Sequence, residues 1–167
     1  ADPSRCLNRL LEAGILLAVE LDELPANVRE HLARLPDHEP AILDFLLQRH
    51  LLTRYQVEII RQGREHDLIV GPYRLLDLIG RGGMGSVYRA EHRLLRRQVA
   101  IKLIAHAIEP NPRLLHRFYG EARAVARLHH PNIVGCTDAG RHEQPNGSVR
   151  DFYVMELVAG ADLQELV

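Results

Sequence analysis

From Ser4 to about Arg64 apolar side chains recur every three or four residues, the spacing that lines one face of an α-helix. Leu7, Leu10 and Leu11 form the first stripe, which ends at Gly14, a residue suited to the left-handed backbone of a helix C-terminus. Pro25 fits the first turn of another helix carrying Val28, Leu32 and Leu35, and Pro36 stops it. Ile42, Phe45, Leu46 and Arg49 continue the period before His50. Thr53-x-x-Gln56 is a capping box, with Leu52 and Val57 placed as its hydrophobic staple, and its helix runs through Ile59 and Ile60 toward Gly63. Residues 9–16 align with 45–52 at an offset of 36, and Glu20 then falls on Gln56. Two similar helix-turn-helix units would pack into a small bundle; coincidence among Leu-rich helices explains the alignment equally well at this stage.

The period changes near residue 70. Leu68-Ile69-Val70 is apolar, Gly71-Pro72 breaks any helix, and Tyr73 begins an extended segment. Residues 1–70 therefore read as a helical domain and 71–167 as a second domain, and so short and apolar a connection predicts that the two touch. Further on, Ser86-Val87-Tyr88-Arg89-Ala90-Glu91 favours strand and carries no helical stripe. Asn111 can cap a helix and Pro112 can open it, with Leu115, Phe118, Ala122 and Val125 facing inward and Glu121 bordering that stripe. Arg141 to Arg150, containing Pro145-Asn146-Gly147-Ser148, reads as an extended turn between two strands. The class is α+β.

Composition narrows the function. A formal charge of −1 gives no global field for nucleic acid or anionic membrane, so neither partner is expected. No run of about 18 apolar residues suggests a transmembrane helix, and Ala1-Asp2-Pro3-Ser4 does not resemble a secretory signal. Cys6 and Cys136 are isolated and lack metal or redox spacing, which suits a reducing cytoplasm. None of the 10 histidines shows a His-x-x-x-His pair with a third ligand nearby, so no metal site is expected.

One residue stands apart from that background. Of 21 Lys and Arg residues, Lys102 is the single lysine, in Val99-Ala100-Ile101-Lys102. A compact ammonium on a flexible stem differs from a planar guanidinium fork, so a site that needs a point charge would keep Lys where the rest became Arg. Seventeen residues before it lies Gly85 of Gly80-Arg81-Gly82-Gly83-Met84-Gly85-Ser86-Val87. Three glycines let backbone amides approach a phosphate without interference from Cβ. Taken alone, such a loop is equally a flexible Gly-rich hairpin; a dinucleotide fold would place a helix after the glycines, and here a strand comes next.

Gly80 to Val87 together with Val99 to Lys102 resemble the first two signature motifs of eukaryotic-type protein kinases. Phe118-Tyr119-Gly120-Glu121-Ala122-Arg123 places Glu121 where the family has its αC glutamate. His130-Pro131-Asn132-Ile133-Val134 is similar to the lead into the family's fourth strand, and Phe152-Tyr153-Val154-Met155-Glu156-Leu157-Val158 to its fifth strand and hinge. The Gly-Gly-Met-Gly and His-Pro-Asn-Ile-Val runs are especially like those of bacterial serine/threonine kinases. The resemblance covers Gly71 to Val167; the helical lead-in bears a looser likeness to large planctomycete-type kinases.

The resemblance implies an N-lobe, a five-stranded antiparallel sheet plus the αC helix, with the C-lobe absent. It implies ATP as ligand. The backbone from Gly80 through Arg81, Gly82, Gly83, Met84 and Gly85 to Ser86 would cover the phosphates, and Lys102 would contact the α- and β-phosphates while Glu121 holds it. Ile79, Val87 and Ala100 match the apolar roof over adenine and Met155 the gatekeeper. The Glu156 carbonyl and Val158 N–H would bond the base, and Asp162 matches a ribose-binding acid. In the family, phosphoryl transfer is mostly positioning and charge neutralisation. Nothing resembling His-Arg-Asp-x-x-x-x-Asn or Asp-Phe-Gly occurs up to Val167, and those motifs supply the base and the Mg2+ ligands. The chain therefore reads as an inactive part of a longer kinase acting on protein hydroxyls. Alternatives are a pseudokinase and an adaptor whose helical domain binds partners. Lys102 and Glu121 are expected within ion-pair range or visibly separated with αC turned outward. Leu157, Val158, Leu163 and Leu166 would lack their usual cover, which predicts self-association or packing of that side on the helical domain.

Overall fold

The computed structural model describes residues 5–104 and 111–161. Five helices come first: α1 (Arg5–Glu12), α2 (Ala18–Asp22), α3 (Ala26–Arg34), α4 (Glu39–Gln48) and α5 (Arg54–Arg61). The offset of 36 is real structure. Gly14 and His50 both adopt positive φ, +72° and +58°, at the ends of α1 and α4. Ile15 and Leu16 N–H groups both donate to Leu10 O, at 3.0 and 3.2 Å, just as Leu51 and Leu52 donate to Leu46 O at 2.9 and 3.3 Å. Glu20 then accepts from Leu17 N–H and Gln56 from Thr53 N–H, each at 2.9 Å. Two copies of one helix-turn-helix unit therefore share a turn geometry and a side chain that caps the second helix.

A 3-10 turn (Glu65–Leu68) leads into the sheet: β1 (Ile69–Val70), β2 (Tyr73–Gly82), β3 (Gly85–His92) and β4 (Gln98–Ile104), then helix α6 (Pro112–Ala126), then β5 (Cys136–Glu143) and β6 (Val149–Met155). All pairings are antiparallel and the order is β1-β2-β3-β4-β6-β5. The sheet thus has six strands among the described residues, one more than the sequence suggested. Gly71-Pro72 reverses the chain tightly enough for Val70 to pair with Tyr73, which turns the joining segment into an edge strand. Half of the segment read as an extended turn from Arg141 to Arg150 is strand. Arg141 pairs with Asp151, His142 with Arg150 and Glu143 with Val149, leaving Gln144–Ser148 as the turn. Its side chains close it: Ser148 N–H donates to Asn146 Oδ1 at 2.9 Å.

Alternation along the strands sorts side chains to two faces. Val99, Ile101 and Leu103 of β4, with Ala90, Phe152 and Val154, join a core that also contains Leu10, Ile15, Leu43, Leu46 and Ile60 of the helices. One apolar core therefore runs through both halves. The helices cover this face; among the described residues, packing of the αC-and-hinge side on the helical domain, one of the two expectations, is not seen. At the seam, buried Arg74 of β2 donates to Glu20 of α2 (2.8 Å), to Glu91 of β3 (2.8 Å) and to Ile15 O (2.8 Å). Arg96 closes the cluster on Glu20 (3.1 Å) and Glu91 (2.9 Å). Two cations and two anions balance, the condition under which burying charge is tolerable. Burial is the strongest influence on the Glu20 carboxyl and acts to raise its pKa, yet the bonds from Arg74 and Leu17 N–H hold it below the usual carboxylate value.

Candidate functional site

The other face of the sheet carries the residues singled out for chemistry. Val87, Lys102 and Tyr153 lie in one row across β3, β4 and β6, and Ala100 pairs with Met155 in the next row. Helix α6 packs over this face. It starts where the sequence marks it: the Asn111 side chain accepts from Arg113 and Leu114 N–H at 3.1 and 3.2 Å, with Pro112 at the first helical position. Phe118 and Ala122 are buried against Tyr153 in a small second core, the rings of Phe118 and Tyr153 being 4.9 Å apart. Tyr119 fixes the helix laterally by donating to Asp151 Oδ1 at 2.6 Å, and Arg141 donates to the same oxygen at 2.9 Å. Burial first, and then the Asp151 carboxylate, push the Tyr119 hydroxyl up to about 12, so it remains a donor.

This packing brings Lys102 Nζ to 2.7 Å from Glu121 Oε1. The two were expected either paired or apart, and they are paired. Tyr153, which sequence reasoning missed, donates its hydroxyl to the same oxygen, and its ring centroid is 5.7 Å from Lys102 Nζ, within cation–π range. The signal was available: Tyr153 stands two residues before Met155, so strand alternation puts both on one face. Burial, the largest influence on Glu121, would raise its pKa; the Lys102 and Tyr153 hydrogen bonds and the ammonium charge outweigh it and hold the carboxyl low. Glu121 is therefore an anion at neutral pH. Its Lys102 partner keeps a side chain only 16% exposed.

Gly80 to Gly85 form the tip of the β2–β3 hairpin, with Gly82 paired to Gly85 and Gly83-Met84 between them. The glycines differ in what requires them. Gly85 has φ +153°, and a Cβ there would lie 1.9 Å from Leu103 O, so the approach of β4 demands glycine. A Cβ on Gly80 or Gly82 meets nothing closer than 3.9 Å, and one on Gly83 meets nothing within 4 Å. The fold imposes no steric need for glycine at these three positions.

The other expected residues surround this centre. Ile79 is 52% exposed on the hairpin and Arg81 is exposed, opposite Ser86. Met84 is half-buried, Ala100 is buried yet outside both apolar cores, and Met155 is half-buried beside α6. Glu156 and Val158 lie beyond β6 in exposed, irregular chain, and Glu156 N–H donates to Gly135 O at 3.1 Å. Asp162 lies outside the described residues, as do Leu163 and Leu166. Leu157 is half-buried, and Val158 is 62% exposed.

Comparison with known proteins bears on this arrangement. The protein kinase domain family matches residues 73–167. The serine/threonine-protein kinase pkn3 of Myxococcus xanthus is 41% identical over 95 residues, 57% of this chain and 17% of its own length. The kinase PknA of Mycobacterium tuberculosis is 43% identical over 98 residues, 58% of this chain and 22% of its own. A probable serine/threonine-protein kinase of Streptomyces coelicolor is 41% identical over 97 residues, 58% of this chain and 14% of its own. The chain thus spans less than a quarter of the length of these relatives. The family match covers more than half of the chain and includes the glycine turn, Lys102 and Glu121; the chain belongs to the protein kinase domain family.

Proposed function

We propose that residues 71–167 form the ATP-binding lobe of a bacterial serine/threonine protein kinase, whose reaction is transfer of the ATP γ-phosphate to a protein hydroxyl. The observation that carries this reading is the 2.7 Å Lys102–Glu121 pair, with Lys102 on the strand beside the glycine hairpin, where a Cβ on Gly80, Gly82 or Gly83 would meet nothing closer than 3.9 Å. The residues present fit the nucleotide. Backbone amides of the turn can close on phosphate oxygens, Lys102 offers a point charge to the α- and β-phosphates, and Glu121 with Tyr153 holds that charge in place. Ile79, Val87, Ala100 and Met155 offer adenine an apolar slot, with the Glu156 carbonyl and Val158 N–H at its edge and Asp162 assigned to the ribose. Mg2+ would neutralise phosphate charge, and these 167 residues contain no motif resembling those that supply its ligands and the catalytic base in the family. Without them this chain alone should not phosphorylate protein.

The free thiols of buried Cys6 and half-buried Cys136 support a reducing, cytoplasmic setting. Among the described residues no helix is long and apolar enough to cross a membrane. Exposed Leu128, Ile133, Val134 and Val158 support self-association of the isolated chain. The test of the central reading is calorimetric titration of the chain with MgATP. Saturable binding lost in Lys102→Met supports it, and binding equal in both proteins overturns it.

A further inference from the structure

The two halves meet most specifically on β2, the strand that delivers the glycine turn. Its pairing with β3 slips between Leu75, opposite Ala90, and Asp77, opposite Arg89, so Leu76 is an extra residue in a bulge. A bulge disrupts the ladder locally, and here the helical half hydrogen-bonds to the carbonyls beside it. Thr53 Oγ1 donates to Leu76 O at 2.5 Å, and Gln56 Nε2 donates to Leu75 O at 2.8 Å. These are the two residues of the α5 capping box. Thr53 Oγ1 also accepts from Gln56 N–H at 3.1 Å, and Gln56 Oε1 accepts from Thr53 N–H at 2.9 Å. Each side chain therefore closes the helix end with its acceptor and grips the bulge with its donor. Gln56 is 1% exposed, so no water substitutes for it. A second slip, between Leu78 and Gly80, makes Ile79 an extra residue three positions beyond Leu76, at the base of the turn. The pseudo-repeat reinforces the pattern, since Glu20, the counterpart of Gln56, grips the neighbouring β2 residue Arg74.

We propose that Thr53 and Gln56 are positioning residues for the glycine turn: the helical half clamps the β2 bulge and so sets where Gly80–Gly85 stand over the nucleotide. The proposal rests on the nucleotide-binding reading for its consequence but not for its geometry. Backbone bulges concentrate strand twist and re-aim the residues beyond them. A clamp on both carbonyls of the bulge fixes that aim, and its release would let the hairpin tip swing.

Thr53→Asp and Gln56→Glu separate the two duties, because each keeps the capping-box acceptor and loses the donor to β2. Thr53→Ser keeps both. Amide hydrogen exchange across the whole chain and titration with magnesium adenylyl imidodiphosphate are the readouts. The expected result for Thr53→Asp and for Gln56→Glu is exchange roughly three- to tenfold faster at residues 78–87, with α5 and β4 unchanged. Nucleotide affinity should weaken by a similar factor, and Thr53→Ser should behave as the parent. Turn exchange unchanged in both variants, or raised equally throughout the chain, overturns the proposal. A parent chain that binds no nucleotide while the variants still loosen the turn would refute the nucleotide reading and leave the clamp standing.

Discussion

Lys102 and Tyr153 sit directly opposite each other on β4 and β6 and donate to the same carboxylate oxygen, Glu121 Oε1. The helix and the sheet are thereby joined at one atom. The Lys102 ammonium has its position set by a carboxylate, and the carboxylate by a phenol that is locked in the small core with Phe118 and Ala122.

Removing the phenol tests that chain of support. Tyr153→Phe keeps the ring and its packing and deletes one donor to Glu121. Nucleotide affinity is expected to fall about three- to tenfold with the fold intact, the scale of one hydrogen bond to a charged group. Isothermal titration of both proteins checks it; equal affinities would show that Lys102 alone orients Glu121.

Lysine and arginine should not interchange at the one position that keeps lysine. Lys102→Arg replaces the point charge by a wide fork in a row hemmed by Val87 and Tyr153. Loss of a well-placed charged bond is worth roughly 2 kcal/mol, or about thirtyfold in nucleotide affinity. In a complete parent enzyme the same change should remove most turnover, and undiminished turnover would refute the assignment.

The glycines should divide by what they do. Gly85→Ala forces Cβ into Leu103 O and is expected to destabilise the chain on the order of 3 kcal/mol. Gly83→Ala meets nothing, so urea denaturation should match the parent while nucleotide binding weakens. A Gly83→Ala variant with full affinity would mean that the turn does not approach the ligand.

The seam should make the molecule acid-sensitive. Glu20, Asp67 and Glu121 all have carboxyls held below their ordinary values; burial opposes this in each, and hydrogen bonds and cationic partners prevail. A group depressed in the folded state gives its stabilisation in full above the unfolded value, 4.5 for Glu and 3.8 for Asp, and loses it as pH falls through the folded one. The urea midpoint should therefore drop as pH falls below about 4.5. Glu20→Gln should shrink that drop while lowering stability at pH 7, because Arg74 and Arg96 lose a buried partner. An acid dependence identical in parent and variant would place the sensitive carboxylates elsewhere.

By itself the sequence determined most of the elements and singled out the candidate site residues, because those signals are local. The Thr53-x-x-Gln56 box, the Asn111-Pro112 helix start, the Gly80–Gly85 turn and the lone Lys102 each act within a few residues of themselves. The offset of 36 was visible as letters, but its meaning was open until Gly14 and His50 proved to share one turn geometry. Tertiary structure alone decided what lies opposite what. Strand register set Tyr153 beside Lys102, extended β5 and β6 into the expected turn, and made Ile69-Val70 an edge strand. It also decided that α1–α5 cover the face of the sheet opposite the one that carries Lys102 and Tyr153. Pairing register and face coverage depend on burying apolar area contributed by residues far apart in the chain, a sum to which no short stretch of sequence holds all the terms.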